Sequence, residues 1–339
     1  MKKLFRRGSL IAGCIVSVSF VLVAVATAAV DAHSPSPKSF TGSWIRTTSV
    51  TLPNGDEADV HFPHVPALWR KYFTDAFPVV AVLQGAQVDK KYYENFGRQL
   101  ARQGFVVVIP NHFQAPPPPA PPFPLLLPDQ FVIVHALNQM KKEDTDPQSP
   151  LYGIVDTERM GVTGHSFGGV VGLFAIDERC QPPFCFGPPV FPLPKEVGAG
   201  VFYGTNTCNV TGEIMDERCD EGRVIDIETG NIPVALVQGL RDGLAKPAEA
   251  EATFAVLDGR RALIRIDGAN HYGICDENNP SGAQPDVTAP TLRQEQATAR
   301  VAHWTGLWLR AHLRKDPFAK FWLYKLGGSL DEVVIVETD

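Results

Sequence analysis

Ser166 has the sequence surroundings of a catalytic nucleophile. It stands in the run Gly-His-Ser-Phe-Gly-Gly at positions 164–169, between a predicted strand and a predicted helix. In that setting the pattern Gly-x-Ser-x-Gly is typical of a nucleophile elbow, a turn too tight for bulky side chains two positions before and after the serine. The Phe167 N–H would lie at the helix N-terminus, where it can donate to a developing oxyanion. An incidental serine in a glycine-rich turn is the alternative.

A serine hydroxyl is a good nucleophile only when a base takes its proton, and His271 fits that role. It follows the last predicted core strand, so we expect it at the same edge of the sheet as Ser166. Of the nine histidines, His303 and His312 fall within a predicted C-terminal helix, where a packed or solvated role is expected. His165 adjoins the serine but should point elsewhere on the turn.

The imidazole needs a carboxylate that sets its tautomer and stabilises the imidazolium, and Asp242 is the predicted partner. It follows a predicted strand and therefore lies at the carboxyl end of that strand. A turn aspartate or a helix cap is the alternative interpretation. Asp216, Asp220 and Asp226 are weaker candidates, because they lie in an irregular segment.

A second oxyanion donor is expected in the loop after the first parallel core strand. That loop contains residues 84–87, and Gly85 permits the backbone turn that it needs. The Ala86 N–H is the predicted donor. Gln87 is the alternative if the register differs by one residue.

The elements that would position these residues alternate between strands and helices. Residues 44–52 and 57–64 predict an antiparallel pair, and residues 78–109 predict a strand–helix–strand crossover with parallel strands. Further strands are predicted over 159–163, 197–203, 232–238 and 262–267, and helices over 129–142, 167–176, 248–257 and 291–313. The alternation predicts an α/β fold: a doubly wound, mostly parallel sheet with helices on both faces.

Residues 1–32 read as a secretory signal peptide. Four Lys and Arg residues precede an apolar run over 10–30, and small-x-small sites allow cleavage after Ala28 or Ala32. A secreted or periplasmic protein is therefore expected. An uncleaved membrane anchor is the alternative, because the apolar run is long enough to span a bilayer.

The rest of the chain divides into a linker, one catalytic domain and a short extension. Residues 33–43 are polar and proline-containing, and residues 44–315 carry the predicted alternation. The predicted extension, 316–339, contains a possible strand at 333–336.

Composition limits the partners. The chain is 44% apolar and 20% charged, with a formal charge of −6 that becomes −9 without residues 1–32. A net acidic protein gives no support for binding to nucleic acid or to anionic membranes. We therefore expect neither a nucleic-acid partner nor a stable membrane partner. The oligomeric state stays open.

Five cysteines remain after residue 32, and export makes disulfides the expected state. Cys180 with Cys185, and Cys208 with Cys219, are close enough in sequence to pair locally, which would leave Cys275 free. Sequence alone does not settle the connectivity, and Cys275 could take another partner. There is no Cys-x-x-Cys pair and no Cys/His cluster at zinc spacing, so no metal site is predicted.

Two loops are candidates for lining the site. Residues 204–231 contain Cys208 and Cys219 and would form either a disulfide-linked flap over the site or an ordinary surface loop. Residues 115–128 are too proline-rich for a helix or a central strand. Their three leucines, 125–127, would either line an apolar acyl pocket or pack as an ordinary connection.

These motifs carry a family resemblance. Residues 155–169, Val-Asp-Thr-Glu-Arg-Met-Gly-Val-Thr-Gly-His-Ser-Phe-Gly-Gly, resemble the matching stretch of bacterial cutinases and polyester hydrolases. Residues 83–110, from Leu-Gln-Gly through the predicted helix to Gln-Gly-Phe-Val-Val-Val-Ile-Pro, resemble both that group and the chlorophyllases. The whole set is similar to the dienelactone hydrolase-like superfamily, which also includes the platelet-activating-factor acetylhydrolases, over roughly residues 75–312.

The resemblance implies an α/β-hydrolase fold and a role for each site residue. Ser166 maps to the nucleophile, Asp242 to the acid, His271 to the base, and Ala86 and Phe167 to the oxyanion donors. Bacterial cutinases carry an aromatic residue where this chain has Ala86, so the substrate surface there is expected to differ.

The sequence thus predicts a serine esterase acting on small-molecule or polymeric esters with a hydrophobic part. It needs no cofactor and no metal. A chlorophyllase-like or phospholipid acetylhydrolase-like esterase is one alternative, and perhydrolysis or amide cleavage by the same triad is another. A non-catalytic binding protein of this fold is the alternative from a different class.

Overall fold

The computed structural model describes residues 44–339 apart from 71–74, 116–123, 183, 186 and 209–223. The predicted signal peptide, 1–32, and linker, 33–43, lie outside the described residues. In the described part of the chain, no helix has both the length and the apolar character that a membrane crossing requires.

Eleven strands and seven α-helices are present among the described residues. The strands are β1 (Ile45–Thr51), β2 (Glu57–Pro63), β3 (Phe77–Leu83), β4 (Val106–Pro110), β5 (Phe113–Gln114), β6 (Leu125–Leu126), β7 (Val155–His165), β8 (Val197–Tyr203), β9 (Val234–Gly239), β10 (Arg261–Ile266) and β11 (Val334–Thr338). The helices are α1 (Ala67–Arg70), α2 (Glu94–Arg102), α3 (Phe131–Thr145), α4 (Phe167–Ile176), α5 (Pro247–Val256), α6 (Gln294–Leu313) and α7 (Pro317–Phe321).

Nine of the strands form one sheet in the order β1-β2-β4-β3-β7-β8-β9-β10-β11. The pairs from β4 across to β10 are parallel, whereas β1 with β2, β2 with β4, and β10 with β11 are antiparallel. The mostly parallel sheet with helices confirms the predicted α/β-hydrolase fold. It also confirms the antiparallel start and the parallel crossover between β3 and β4.

Helices cover both faces of the sheet, which explains why β3 is apolar throughout. Val79 and Ala81 belong to the core packed against α3, α4 and α5, whereas Val80 and Val82 belong to the core packed against α2 and α6. Successive side chains of a strand point to opposite faces, so a strand covered on both sides must be apolar at every position. All seven residues of β3 are buried.

Two helices differ in detail from the sequence-based expectations. The helix of the predicted strand–helix–strand crossover begins as a 3-10 turn, Lys90–Tyr93, before α2. The helix expected from Asp129 to Lys142 runs over Phe131–Thr145 with Gln130 in the cap position, and Asp129 Oδ1 accepts from the Val132 N–H at 3.3 Å. Asp129 therefore supports the first turn from one position earlier than expected.

None of the described residues of the proline-rich stretch, 115–128, joins the main sheet, as expected. Leu125–Leu126 of that stretch form β6, which pairs with β5 in a separate two-stranded ribbon. A chain rich in proline lacks the N–H groups that a central strand needs.

The predicted strand at 333–336 is confirmed, and it completes the sheet. As β11 it pairs antiparallel with β10, so the C-terminal extension covers that edge of the sheet. Val334 is buried, and Ile335 beside it is 52% exposed. The alternation shows that only one face of β11 contacts the core.

The disulfide predictions are met in part. Cys180 and Cys185 form a disulfide, and Cys275 is a buried free thiol, as expected. Cys208 is disulfide-bonded. The partner expected for it, Cys219, lies outside the described residues, so that pairing stays a prediction.

The register of β11 predicts unequal effects at two adjacent residues. Val334→Ala should lower the free energy of unfolding by about 1–3 kcal/mol, because it removes buried methyl groups. Ile335→Ala, the matched control, should change it by less than about 0.5 kcal/mol. Chemical denaturation of both variants measures this, and equal effects would show that β11 does not lie in this register.

Candidate active site

The nucleophile elbow has the strained geometry that its sequence predicts. Ser166 lies between β7 and α4 with φ 53° and ψ −120°, a conformation that few non-glycine residues adopt. A Cβ atom on Gly164 would collide with the Gly168 carbonyl, and one on Gly168 would collide with the Leu83 carbonyl. Because these neighbours are backbone atoms, only glycine fits at either position.

Asp242 and His271 are brought together, although 29 positions separate them in the sequence. His271 Nδ1 lies 3.0 Å and 2.9 Å from the two carboxylate oxygens of Asp242. The exposed fractions of the two side chains are 4% and 0%. In this buried contact the carboxylate accepts the Nδ1 hydrogen, so Nε2 is the atom left to act as a base.

Asp242 also shapes its own turn. Its Oδ1 accepts from the N–H groups of Leu244 at 2.9 Å and Ala245 at 2.8 Å. Gln238 Nε2 lies 3.3 Å from Oδ2. Asp242 is therefore both a turn aspartate and the partner of His271. These donors orient the carboxylate toward His271.

Ser166 lies at the same edge of the sheet as this pair. Its N–H donates to the Tyr203 carbonyl at 2.9 Å. The next residue, Gly204, packs against the pair: a Cβ there would lie 3.0 Å from Asp242 Oδ2 and 3.3 Å from His271 Nδ1. Within the described residues, the Ser166 hydroxyl and His271 Nε2 make no hydrogen bond; such a bond often tightens only when substrate binds.

The two predicted oxyanion donors are unpaired, whereas the alternative donor is occupied. Among the described residues, nothing accepts a hydrogen bond from the N–H of Ala86 or of Phe167. The Gln87 N–H donates to the Leu126 carbonyl at 2.8 Å. Gln87 also has a positive φ of 59°, which turns the chain after Ala86. This geometry favours Ala86 over Gln87 as the second donor.

Asp286 is a site residue that the sequence analysis missed. Its Oδ2 accepts from the His271 N–H at 3.0 Å and from the Gly243 N–H at 3.2 Å, and the residue is 3% exposed. It thus links the backbone of His271 to the turn of Asp242. An aspartate in an irregular segment gives no sequence signal of that role, because only the folded loop brings its carboxylate to these two donors.

His165 points into the protein, away from the position expected for substrate. It is fully buried, and its ring lies between Tyr93 and His271. Burial lowers the pKa of His165 well below its usual range, and the nearby His271 lowers it further. His165 is therefore a neutral imidazole in the folded protein.

The weaker candidates lie elsewhere. Asp226 is exposed, and Asp216 and Asp220 lie outside the described residues. His303 and His312 pack on α6 against tryptophan rings, and burial lowers the pKa of each to about 4. No group of three or more His, Cys, Asp or Glu side chains arranged to hold a metal ion occurs in the described part of the chain.

Apolar side chains lie beside the elbow and beside the loop after β3. The Phe167 ring lies 5.2 Å from the ring of Phe184, which belongs to the segment closed by the Cys180–Cys185 disulfide. Leu126 is buried, and its carbonyl accepts from the Gln87 N–H of the loop after β3. Residues 209–223 of the expected flap lie outside the described residues, so its position over the site stays a prediction.

The unpaired N–H of Ala86 generates a test. Ala86→Pro removes that N–H and should lower kcat by about 10²–10³, the usual effect of losing one oxyanion donor. Ala86→Gly keeps the N–H and should change kcat far less. Thermal unfolding and active-site titration must show that both variants are folded. A folded Ala86→Pro variant with wild-type kcat would exclude Ala86 as the donor.

Comparison with known proteins supports the resemblance that the sequence motifs indicated. No curated protein matches the chain. The model of a family described as PET hydrolase-like matches residues 69–182, about a third of the chain. The matched range contains Ala86, Ser166 and Phe167, whereas Asp242 and His271 lie beyond it. Over the part of the chain that carries the nucleophile elbow, this protein is similar to the PET hydrolase-like family, which indicates a serine ester hydrolase of the polyester hydrolase type.

Proposed function

We propose that this protein is a secreted serine hydrolase of carboxylic esters, with Ser166 as nucleophile, His271 as base and Asp242 as acid. The observation that carries the proposal is the buried Asp242–His271 contact at the sheet edge where the elbow presents Ser166. The N–H groups of Ala86, in the loop after β3, and of Phe167, at the start of α4, have no acceptor among the described residues, and a serine hydrolase needs its oxyanion donors at these two places.

The first half-reaction acylates the serine. Ser166 Oγ attacks the ester carbonyl while His271 Nε2 takes its proton, and Asp242 stabilises the imidazolium that forms. The negative charge on the former carbonyl oxygen is met by the N–H groups of Ala86 and Phe167. His271 then gives its proton to the leaving alcohol, and the acyl group stays on Ser166.

The second half-reaction releases the acid. Water enters the place of the alcohol, His271 takes a proton from it, and the hydroxide attacks the acyl carbonyl. The same two N–H groups stabilise the second oxyanion, and the Ser166 oxygen leaves with the proton held by His271. Every proton is carried by His271, so the scheme requires no cofactor.

The substrate class follows from the apolar surroundings of the elbow. Phe167 and Phe184 beside the elbow and Leu126 beside the loop after β3 favour an ester with a hydrophobic acyl or alcohol part. The match to the PET hydrolase-like family favours cutinase-like esters over chlorophyllase-like or phospholipid substrates. A panel of esters and amides of graded chain length separates these classes.

Export belongs to the same proposal. The basic and apolar N-terminus predicts a signal peptide over 1–28 or 1–32. The Cys180–Cys185 disulfide supports an oxidising compartment, where such bonds persist. Sequencing the N-terminus of the protein recovered from the culture medium or periplasm tests both cleavage sites.

Loss of the nucleophile tests the reaction. Ser166→Ala should lower kcat by roughly 10⁶, as loss of a triad nucleophile does, and should leave the fold intact. A fluorophosphonate probe should label Ser166 in the wild type and nothing in this variant. Ser49→Ala, which removes an exposed hydroxyl on β1, is the control and should retain labelling and activity. A non-catalytic binding protein would show neither labelling nor turnover.

Loss of the acid tests its assignment. Asp242→Asn should lower kcat by about 10⁴, because the amide no longer stabilises the imidazolium or its tautomer. Asp226→Asn, at an exposed position, should leave kcat unchanged. If both variants keep wild-type kcat, another carboxylate supports His271.

A further inference from the structure

We propose that His165 is a positioning residue that holds the nucleophile, the base and the oxyanion loop in register through one hydrogen-bonded chain. The inference rests on the proposed function, since it concerns the same site. His165 does not contact the reacting atoms. One ring nitrogen binds the backbone of His271, and the other binds the Tyr93 hydroxyl, which in turn binds the backbone of the oxyanion loop.

The hydrogen-bonded chain that includes His165 consists of three buried hydrogen bonds. His165 Nε2 lies 2.9 Å from the carbonyl oxygen of His271, and Nδ1 lies 2.9 Å from the Tyr93 hydroxyl. The Gly85 N–H donates to the same hydroxyl at 2.9 Å. His165 and Tyr93 are both 0% exposed, so water does not compete for these groups.

The His271 carbonyl determines which group donates in each of the three hydrogen bonds. A carbonyl oxygen only accepts, so Nε2 of the neutral His165 ring must carry the hydrogen, and Nδ1 must present its lone pair. The Tyr93 hydroxyl therefore donates to Nδ1 and accepts from Gly85. The Cys275 thiol also hydrogen-bonds with the Tyr93 hydroxyl. A single tautomer of His165 satisfies the three bonds that join Gly85, Tyr93, His165 and His271.

The held atoms lie next to the reacting groups. Gly85 immediately precedes the donor Ala86, His165 immediately precedes Ser166, and His271 is itself the base. The packing is close: a Cβ on Gly85 would lie 2.7 Å from His165 Nδ1, and the rings of His165 and His271 lie 4.8 Å apart. A misplacement of reacting groups by about 1 Å can lower a rate about 10²-fold, so this chain bears directly on kcat.

A positioning role and a purely structural role make different predictions. A bond that only stabilises the fold changes the unfolding free energy and leaves the kinetics of the folded enzyme unchanged. A bond that aligns the three groups lowers kcat in a folded enzyme. It changes KM little, because substrate binding does not depend on the alignment of the reacting atoms.

Tyr93→Phe removes one hydroxyl and breaks two of the three bonds. We expect kcat to fall about 10- to 100-fold with KM within about two-fold of wild type. Tyr92→Phe, at the neighbouring position, is the matched control. Tyr92 is also buried, at 7% exposed, and within the described residues the Tyr92 hydroxyl makes no hydrogen bond. A folded Tyr93→Phe variant with the kcat of Tyr92→Phe would overturn the proposal.

A double-mutant cycle tests whether Tyr93 acts through His165. His165→Gln keeps an amide N–H near the position of Nε2 but gives Tyr93 no ring nitrogen to bind. If the two residues act as one chain, the double variant should lose little more kcat than His165→Gln alone. If the fold loss of kcat in the double variant equals the product of the two single losses, the residues act independently, which would contradict the proposal.

Two further measurements test the proposal without a kinetic variant. If Tyr93→Phe does not fold, nitrogen-15 NMR of wild-type His165 shows which ring nitrogen carries the hydrogen. We expect a neutral ring with hydrogen on Nε2, and hydrogen on Nδ1 would overturn the chain. Fluorophosphonate labelling of the wild type separates the two ideas: absence of labelling at Ser166 defeats the proposed function, whereas normal labelling with unaltered variant kinetics defeats only the role of His165.

Discussion

The close approach of two backbones at the elbow is the constraint on which the rest of the site depends. Gly168, in the first turn of α4, packs against the carbonyl at the end of β3, and Gly164 packs against Gly168. Side chains larger than hydrogen would separate these segments. Because they touch, Ser166 must take a strained, outward-pointing conformation. The loop that begins after Leu83 therefore starts beside α4, whose first residue is Phe167.

The parallel sheet then gathers the remaining groups. Strands β3, β7, β8, β9 and β10 all end at the same edge, since parallel neighbours share a direction. Each of these ends contributes a part of the candidate site: the loop of Ala86 after β3, Ser166 after β7, Gly204 after β8, Asp242 after β9 and His271 after β10. The chain between them supplies the helices that bury both faces, so the sheet edge is held rigidly.

Buried polar groups provide the fine alignment. Asp242, Asp286 and His165 are nearly or fully buried, and each accepts or donates at least two hydrogen bonds within the site loops. In a low-dielectric interior, unpaired polar groups are costly, so each satisfied group favours one arrangement of its loop. The neutral state of His165, which burial enforces, is part of that arrangement.

The sequence by itself determined the sheet, the elbow and the identity of the site candidates. Period-two and period-3.6 apolar patterns are local, and the elbow glycines are required by a turn of five residues, so both can be read without the fold. Asp286, the occupied N–H of Gln87, and the Tyr93–His165–His271 chain could not be predicted. They depend on contacts between loops that lie far apart in the sequence and carry no periodic signal. Only the tertiary structure decides them, because a hydrogen bond needs its donor and acceptor within about 3 Å, a distance that the packed sheet sets.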